Sequence, residues 1–171
     1  MERITLITTR DQVDPEGRET WDWIEESRGA VSRPFQILLH RPAIARAIGE
    51  LGAHIRFGSS LGDRDRELLI VATAKAHGQE FEWESHRPLA EQAGVSEAAL
   101  ACLGEGSPSN AVAEDERILI DYVREFVDSG TVDAATVERL TARHGDAGVA
   151  EISATVGYYS MLACVMNTCA P

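Results

Sequence analysis

The chain has 171 residues, of which 44% are hydrophobic and 26% charged, enough for one domain burying about 70% of its unfolded surface without a metal or disulfide staple. Its formal net charge of −12 is spread along the sequence without long single-sign blocks, which repels polyanions and argues against a nucleic-acid partner. MERITLITTRDQ lacks the apolar core of a signal peptide, no long uncharged apolar stretch is expected, and Cys102, Cys164 and Cys169 match no metal spacing; a cytoplasmic chain with small buried thiols and no membrane crossing is predicted.

In chain order, residues 1–13 carry the alternating run ITLITT. A single extended segment has no second strand to pair with, so it reads as an arm over the body or over a neighbouring subunit, with residues 14–171 as one helical domain. Asp14-Pro15 offers a cap and a proline at the first helical position, predicting a helix through Trp21, Trp23 and Ile24 that stops at Arg28-Gly29. PFQILL predicts a helical turn or two that breaks ahead of Pro42, since proline pushes its predecessor out of the α region. Pro42 begins a helix whose apolar stripe is Ile44, Ala47, Ile48, Leu51 and Ile55. After a loop over 57–62, Asp63 caps a helix in which Leu68, Leu69, Val71 and Ala72 are nearly continuous; so dense a run predicts a central helix covered on most sides.

His77-Gly78 marks a turn into a helix reaching Ala93, with Gly94 as its left-handed cap and Pro88 bending or splitting it just after His86. Ser96 caps the short helix SEAALACL, and Gly104–Asn110 reads as a surface loop. Glu114–Val127 is amphipathic on Ile118, Leu119, Tyr122, Val123 and Phe126. Asp133–His144 is a helix ended by Gly145, and Ala147–Asn167 a long helix packing through Ile152, Val156, Tyr159, Leu162 and Met166. The sum is eight or nine helices and no sheet, an all-α fold.

The chemistry concentrates in DRDRELLIVATAKAHGQEFEWESHRPLAEQAG, residues 63–94. A helix from Gln79 puts Gln79, Glu82 and His86 at i, i+3 and i+7, on one face. A carboxylate beside an imidazole is the raw material of proton transfer. On spacing alone, a Glu/His pair at i, i+4 is ordinarily an exposed helix pair worth a few tenths of a kcal/mol. Trp83 and Phe81 read either as core or as the wall of an apolar pocket, and Tyr158 and Tyr159 stand in the same position. His86, Glu67 and Glu82 include donor types that bind zinc or iron, but no second histidine stands at a ligand spacing from His86, so no metal or other cofactor is expected.

These residues resemble the carboxymuconolactone decarboxylase family, which includes the alkylhydroperoxidase D proteins. The peroxidase branch has the pattern Glu-x11-Cys-x2-Cys-x3-His; here the same spacing reads Glu67, Gln79, Glu82 and His86, so the outer residues match and both cysteines are replaced. EFEWESH is similar to the form of the motif in members without the redox pair, and RFGSSLGDRDRELLIVATA and GYYSMLACVMN look like family segments in the same order. The resemblance, over about residues 35–168, implies an all-helical alkylhydroperoxidase D-like subunit built on a central antiparallel helix pair, assembled as a trimer or hexamer with its pocket near a subunit interface. It also implies carboxy-lyase-like acid–base chemistry on a small organic acid or lactone. His86 would be the general acid or base, with Glu67 and Glu82 orienting it and Gln79, Trp83 and Tyr158 binding substrate. The alternatives are an alkylhydroperoxidase-like antioxidant, which needs a thiolate and a resolving thiol that Gln79 and Glu82 cannot supply, and a non-catalytic binding or scaffold member of the fold.

Overall fold

A computed structural model of the chain describes residues 3–106 and 109–170. Among these residues there are eight α-helices, short 3-10 turns and no strand, so the predicted all-α class holds. Residues 107 and 108 of the expected surface loop lie outside the described residues, as do the first two residues of the expected arm; residues 109–111 form a 3-10 turn. The chain clusters into two compact units, one running to Gly58 and including the segment from Cys164, the other spanning Ser59–Ala163.

The first unit contains α1 (Arg18–Arg28), α2 (Arg33–Leu38) and α3 (Pro42–Phe57). Asp14-Pro15 starts a 3-10 turn at Pro15–Gly17 that leads into α1, and Gly29 closes α1 in the left-handed conformation. The N-terminal segment lies against this unit. Its Arg3 N–H donates to the Cys169 carbonyl at 2.8 Å, its Ile7 N–H donates to the Gln36 carbonyl at 3.0 Å, and Ile7 and Val13 join a core with Trp21, Ile24 and Phe35.

The buried face of α3 is only partly the stripe the spacing predicts, with Ile55 buried and Ile48 packed against the core. Ala45, Gly49, Gly52 and Ile55 point inward, whereas Ile44 and Leu51 are 50% and 45% exposed. The cause is a close approach: a Cβ on Gly49 would lie 2.6 Å from the ring of Trp23. An indole laid against a small-residue face turns the bulkier aliphatics outward.

The second unit is organised around α4 (Asp63–Ala76), in which every residue from Glu67 to Ala74 is buried. It packs mainly on α5 (Glu80–Ala93) and α7 (Glu114–Ser129), as a helix without a polar face must. The loop ahead of α4 is pinned by Glu151, whose Oε2 accepts from Ser59 Oγ at 2.8 Å and from the Ser60 N–H at 2.9 Å. Pro88 does not split α5, which runs unbroken to Ala93 and is closed by Gly94. Proline removes the hydrogen bond to the Glu84 carbonyl, but Glu84, Arg87 and Pro88 are all exposed, so the break falls on the solvent side of the helix, where its cost is lowest.

Ser96 caps α6 (Glu97–Gly104) through the Ala99 N–H at 3.1 Å, and the buried Glu116 of α7 accepts both the Ser96 N–H (2.8 Å) and its hydroxyl (2.5 Å). The last helix, α8 (Ala134–Cys169), is interrupted at Gly145, where φ 67 and ψ 175 are reachable at little cost only without a side chain. The interruption reproduces the two helices read from the sequence. Residues 152–169 carry no charged side chain, contrary to the expectation of no such stretch, and α8 is long and apolar enough by composition alone to cross a membrane. Its buried positions, Ile152, Val156, Tyr159, Leu162 and Met166, recur at the spacing of a helix that packs on one side against protein. Of the cysteines only Cys102 is buried as expected; Cys164 is exposed, because a position between Ala163 and Val165 falls on the outer side of that helix.

An ionic cluster ties α4, α7 and the first part of α8. Arg64 bridges Asp65 (2.7 Å) and Asp115 (2.9 Å), and Arg143 meets Asp115 at 3.3 Å. His144 sits beside it, with Nε2 buried, 3.9 Å from Asp65 and without a hydrogen-bond partner. Burial lowers the His144 pKa; Asp65 opposes that shift, while Arg143 and Arg64 add to it.

Two predictions follow the chemistry of these contacts. Glu116→Ala leaves the Ser96 N–H and hydroxyl without their acceptor and should lower the unfolding free energy by about 1–3 kcal/mol in urea titrations. His144 is neutral in both states at high pH, but as pH falls below its ordinary value of 6.5 the unfolded chain takes up a proton that the folded chain resists. Stability should therefore decline between about pH 7 and pH 5, and the urea midpoint of His144→Gln should decline less over the same range.

Candidate active site

α4 and α5 build the site from opposite sides of one tight turn. The chain leaves α4 through His77-Gly78, and Gln79 then caps α5, its Oε1 accepting the Phe81 N–H at 3.0 Å. From that cap the helical period carries Gln79, Glu82 and His86 onto one buried face, 6%, 5% and 7% exposed. Glu67, 5% exposed, enters from α4. It is an interior carboxylate, where an isolated charge is costly unless paired.

Its partner is His86. Nδ1 of the imidazole lies 2.8 Å from Glu67 Oε2, while Nε2 lies 3.6 Å from Glu82 Oε2. A carboxylate only accepts, so in the neutral ring the bond to Glu67 assigns the proton to Nδ1 and leaves Nε2 as the basic nitrogen. At 3.6 Å Glu82 is beyond direct hydrogen-bond reach of that nitrogen. The second oxygen of Glu67 meets a different cation, with Arg66 Nη2 standing 3.6 Å from Oε1 and its Nη1 donating to Asp63 at 2.9 Å. Arg66 Nε is buried without a hydrogen-bond partner. Glu67 is thus bracketed between a guanidinium and an imidazole.

The structure brings Glu67, Glu82 and His86 together, and it places the three expected substrate-binding residues differently with respect to them. Gln79 shares their face but spends its side-chain oxygen on the helix cap. Trp83 is buried one step round α5 and lines a cavity whose wall does not include Glu67, Glu82 or His86. Tyr158 stands one ring away: its edge meets Tyr159 at 5.2 Å between centroids, and Tyr159 in turn meets the His86 ring edge-on at 5.4 Å. Tyr159 thus meets the imidazole ring edge-on, and both tyrosines are buried. Sequence singled out the Tyr-Tyr pair but had no means of saying which ring packs on His86.

Arg66 and the His77–Ser160 contact were not read as part of the site. His77 Nε2 lies 2.9 Å from Ser160 Oγ, next in the chain to Tyr159, and burial lowers the His77 pKa. Among the described residues no group of three or more His, Cys, Asp or Glu side chains is placed to hold a metal ion.

Residues 42–113 match the sequence model of the carboxymuconolactone decarboxylase family. This segment belongs to that family. It contains α3, α4, α5 and α6, and with them Glu67, Gln79, Glu82 and His86. Among solved structures, an uncharacterized peroxidase-related protein from Silicibacter sp. TM1040 superposes with a TM-score of 0.77 at 16% identity, covering 99% of this chain and 90% of that one. The debrominase Bmp8, as a cysteine-to-alanine variant in complex with 2,3,4-tribromopyrrole, gives a TM-score of 0.74 at 16% identity, covering 98% of this chain and 91% of that one. A search of curated proteins found no significant match. At such identities the two structures establish that this family segment sits in a shared helical fold.

The hydrogen bond to Glu67 makes a spectroscopic prediction. In long-range nitrogen–proton NMR spectra of the labelled chain, neutral His86 should carry its proton on Nδ1. A ring protonated on Nε2 would show that Glu67 does not orient it.

Proposed function

We propose that the chain is a carboxymuconolactone decarboxylase-like enzyme that moves a proton on a small organic acid, lactone or related carbonyl compound, with His86 as the acid–base group. The observation that carries this reading is the buried 2.8 Å contact between His86 Nδ1 and Glu67. It leaves Nε2 as the basic nitrogen, held by a partner that also stabilises the imidazolium.

Loss of carbon dioxide from a β-keto acid breaks the bond between the carboxylate carbon and the α carbon. The electron pair passes into the adjoining carbonyl to give an enolate, which must then gain a proton at carbon. An imidazolium at His86 delivers that proton from Nε2 and regains one from water, while enolisation of a lactone uses the same nitrogen in the reverse sense. Glu82, 3.6 Å from Nε2, is placed to accept from a substrate hydroxyl beside that nitrogen. Both Glu67 and Glu82 stand beside a single imidazole, an arrangement that supports a proton-transfer reading.

The peroxidase alternative has less support. The two positions that would carry its thiols are Gln79 and Glu82, and Cys102 is buried against Arg124, whose Nη2 lies 3.4 Å from its sulfur. Trimeric or hexameric assembly remains part of the proposal through the family resemblance.

A panel of β-keto acids and lactones assayed with the wild-type chain, His86→Ala and Glu67→Gln tests the reading. Turnover in the wild type should fall by about 100-fold or more in His86→Ala, the typical contribution of a positioned acid or base, and by a smaller factor in Glu67→Gln. Full activity in His86→Ala would overturn the site assignment. Turnover of an organic hydroperoxide with a dithiol reductant, unchanged in His86→Ala, would favour the antioxidant alternative, and inactivity with every substrate class would favour the non-catalytic one.

A further inference from the structure

α5 presents a second chemical surface next to the one that carries His86. Beside Trp83 the second unit holds a cavity of about 530 Å³, within the usual range for small-molecule sites. We propose that this cavity is a separate ligand site that takes an organic cation with a flat apolar body, such as a protonated aryl-alkyl amine.

The floor is apolar and partly aromatic, made by Trp83, Val95 and Leu100, each under a tenth exposed. Gly104, the last residue of α6, keeps the floor open. A Cβ there would lie 3.2 Å from Cζ2 of Trp83 and 3.5 Å from Cη2, filling the space along the indole edge. The indole already accepts a cation, since the Lys75 ammonium lies 4.6 Å from its ring centroid.

The charges on the wall decide the sign of the ligand. Both cations are committed, Lys75 to Glu80 at 3.0 Å and Arg87 to Glu91 at 3.1 Å. Glu97 and Glu105, at the two ends of α6, are exposed, and their carboxylates form no ion pair or hydrogen bond among the described residues. The unneutralised charge around the cavity is therefore negative, and the net charge of −12 attracts cations at longer range. A carboxylate ligand would have to displace Glu80 or Glu91 and then face Glu97 and Glu105. An ammonium finds an open acceptor at either end of α6 and leaves both existing pairs intact. The apolar body would lie on Trp83 and Leu100 with the charged end toward the rim.

The test uses the full chain and three probes of similar shape: phenethylammonium, phenethyl alcohol and 3-phenylpropanoate. Binding is followed by the Gly104 amide and Trp83 indole N–H shifts at low salt. The amine should bind more tightly than the alcohol and the acid more weakly, and Glu97→Gln and Glu105→Gln should each weaken the amine by about two- to fivefold, the effect of one exposed charge. Both variants change surface residues, so folding is not at risk. His86→Ala should leave amine binding unchanged, which separates this site from the acid–base proposal. Equal or tighter binding of the acid, indifference of the amine to both glutamates, or no shift up to ~10 mM amine would overturn the proposal.

Discussion

A carboxylate inside a helical core needs a partner, and much of the second unit follows from how Glu67 obtains one. Desolvation of an unpaired carboxylate costs several kcal/mol, more than one buried aliphatic neighbour returns. Arg66 of α4 stands 3.6 Å from one oxygen of Glu67, beyond a direct hydrogen bond, so the close donor at the same depth comes from α5. His86 supplies it at 2.8 Å, and the turn at His77-Gly78 with the Gln79 cap sets the register that places it there. Packing and chemistry are here a single constraint: the α4–α5 contact that completes the core also orients the imidazole.

That constraint explains how two residues 19 positions apart come to act as one group. α4 contributes its position almost entirely through apolar burial, since Glu67 to Ala74 have no exposed side. α5 is divided by function around its circumference. Glu82 and His86 face the Glu67 side, Trp83 lines a cavity, and Glu84, Arg87 and Pro88 face water. The exposed sector absorbs the proline that would otherwise interrupt the buried one. A proline moved to the Glu82 or His86 sector would instead leave a carbonyl unsatisfied within protein.

The sequence made the helices legible where polarity changes sharply along the chain. The near-continuous apolar run of α4, the Ser96 cap and the Gly145 break are local signals, and local signals survive folding. It was less legible where a contact with a distant residue decides the outcome. Ile44 and Leu51 lost their expected places because Trp23 lies against Gly49, a close approach no wheel drawn on α3 alone contains. At the site, helical spacing put Gln79, Glu82 and His86 on one face, whereas Glu67 was reached only through the family resemblance, because nothing local to α4 fixes which side it faces. Trp83 could be read as core or as a pocket wall, because an i−3 neighbour of His86 can turn to either side of the shared face. Arg66 escaped notice since an arginine beside a glutamate in a charged run looks like surface, and only its depth reveals otherwise.

The exchange of two thiol positions for Gln79 and Glu82 alters the site in two distinct ways. Gln79 contributes to structure, because its oxygen caps α5 and so fixes the depth at which His86 meets Glu67. Glu82 contributes charge, because it places a second carboxylate 3.6 Å from the nitrogen that Glu67 leaves bare. A thiol pair stores two electrons and returns them by opening a disulfide. A carboxylate stores a proton and returns it without any change in covalent structure. Here one imidazole stands between two buried carboxylates, bonded to Glu67 at 2.8 Å and 3.6 Å from Glu82, so the replacement of thiols by these side chains trades groups that exchange electrons for groups that exchange protons.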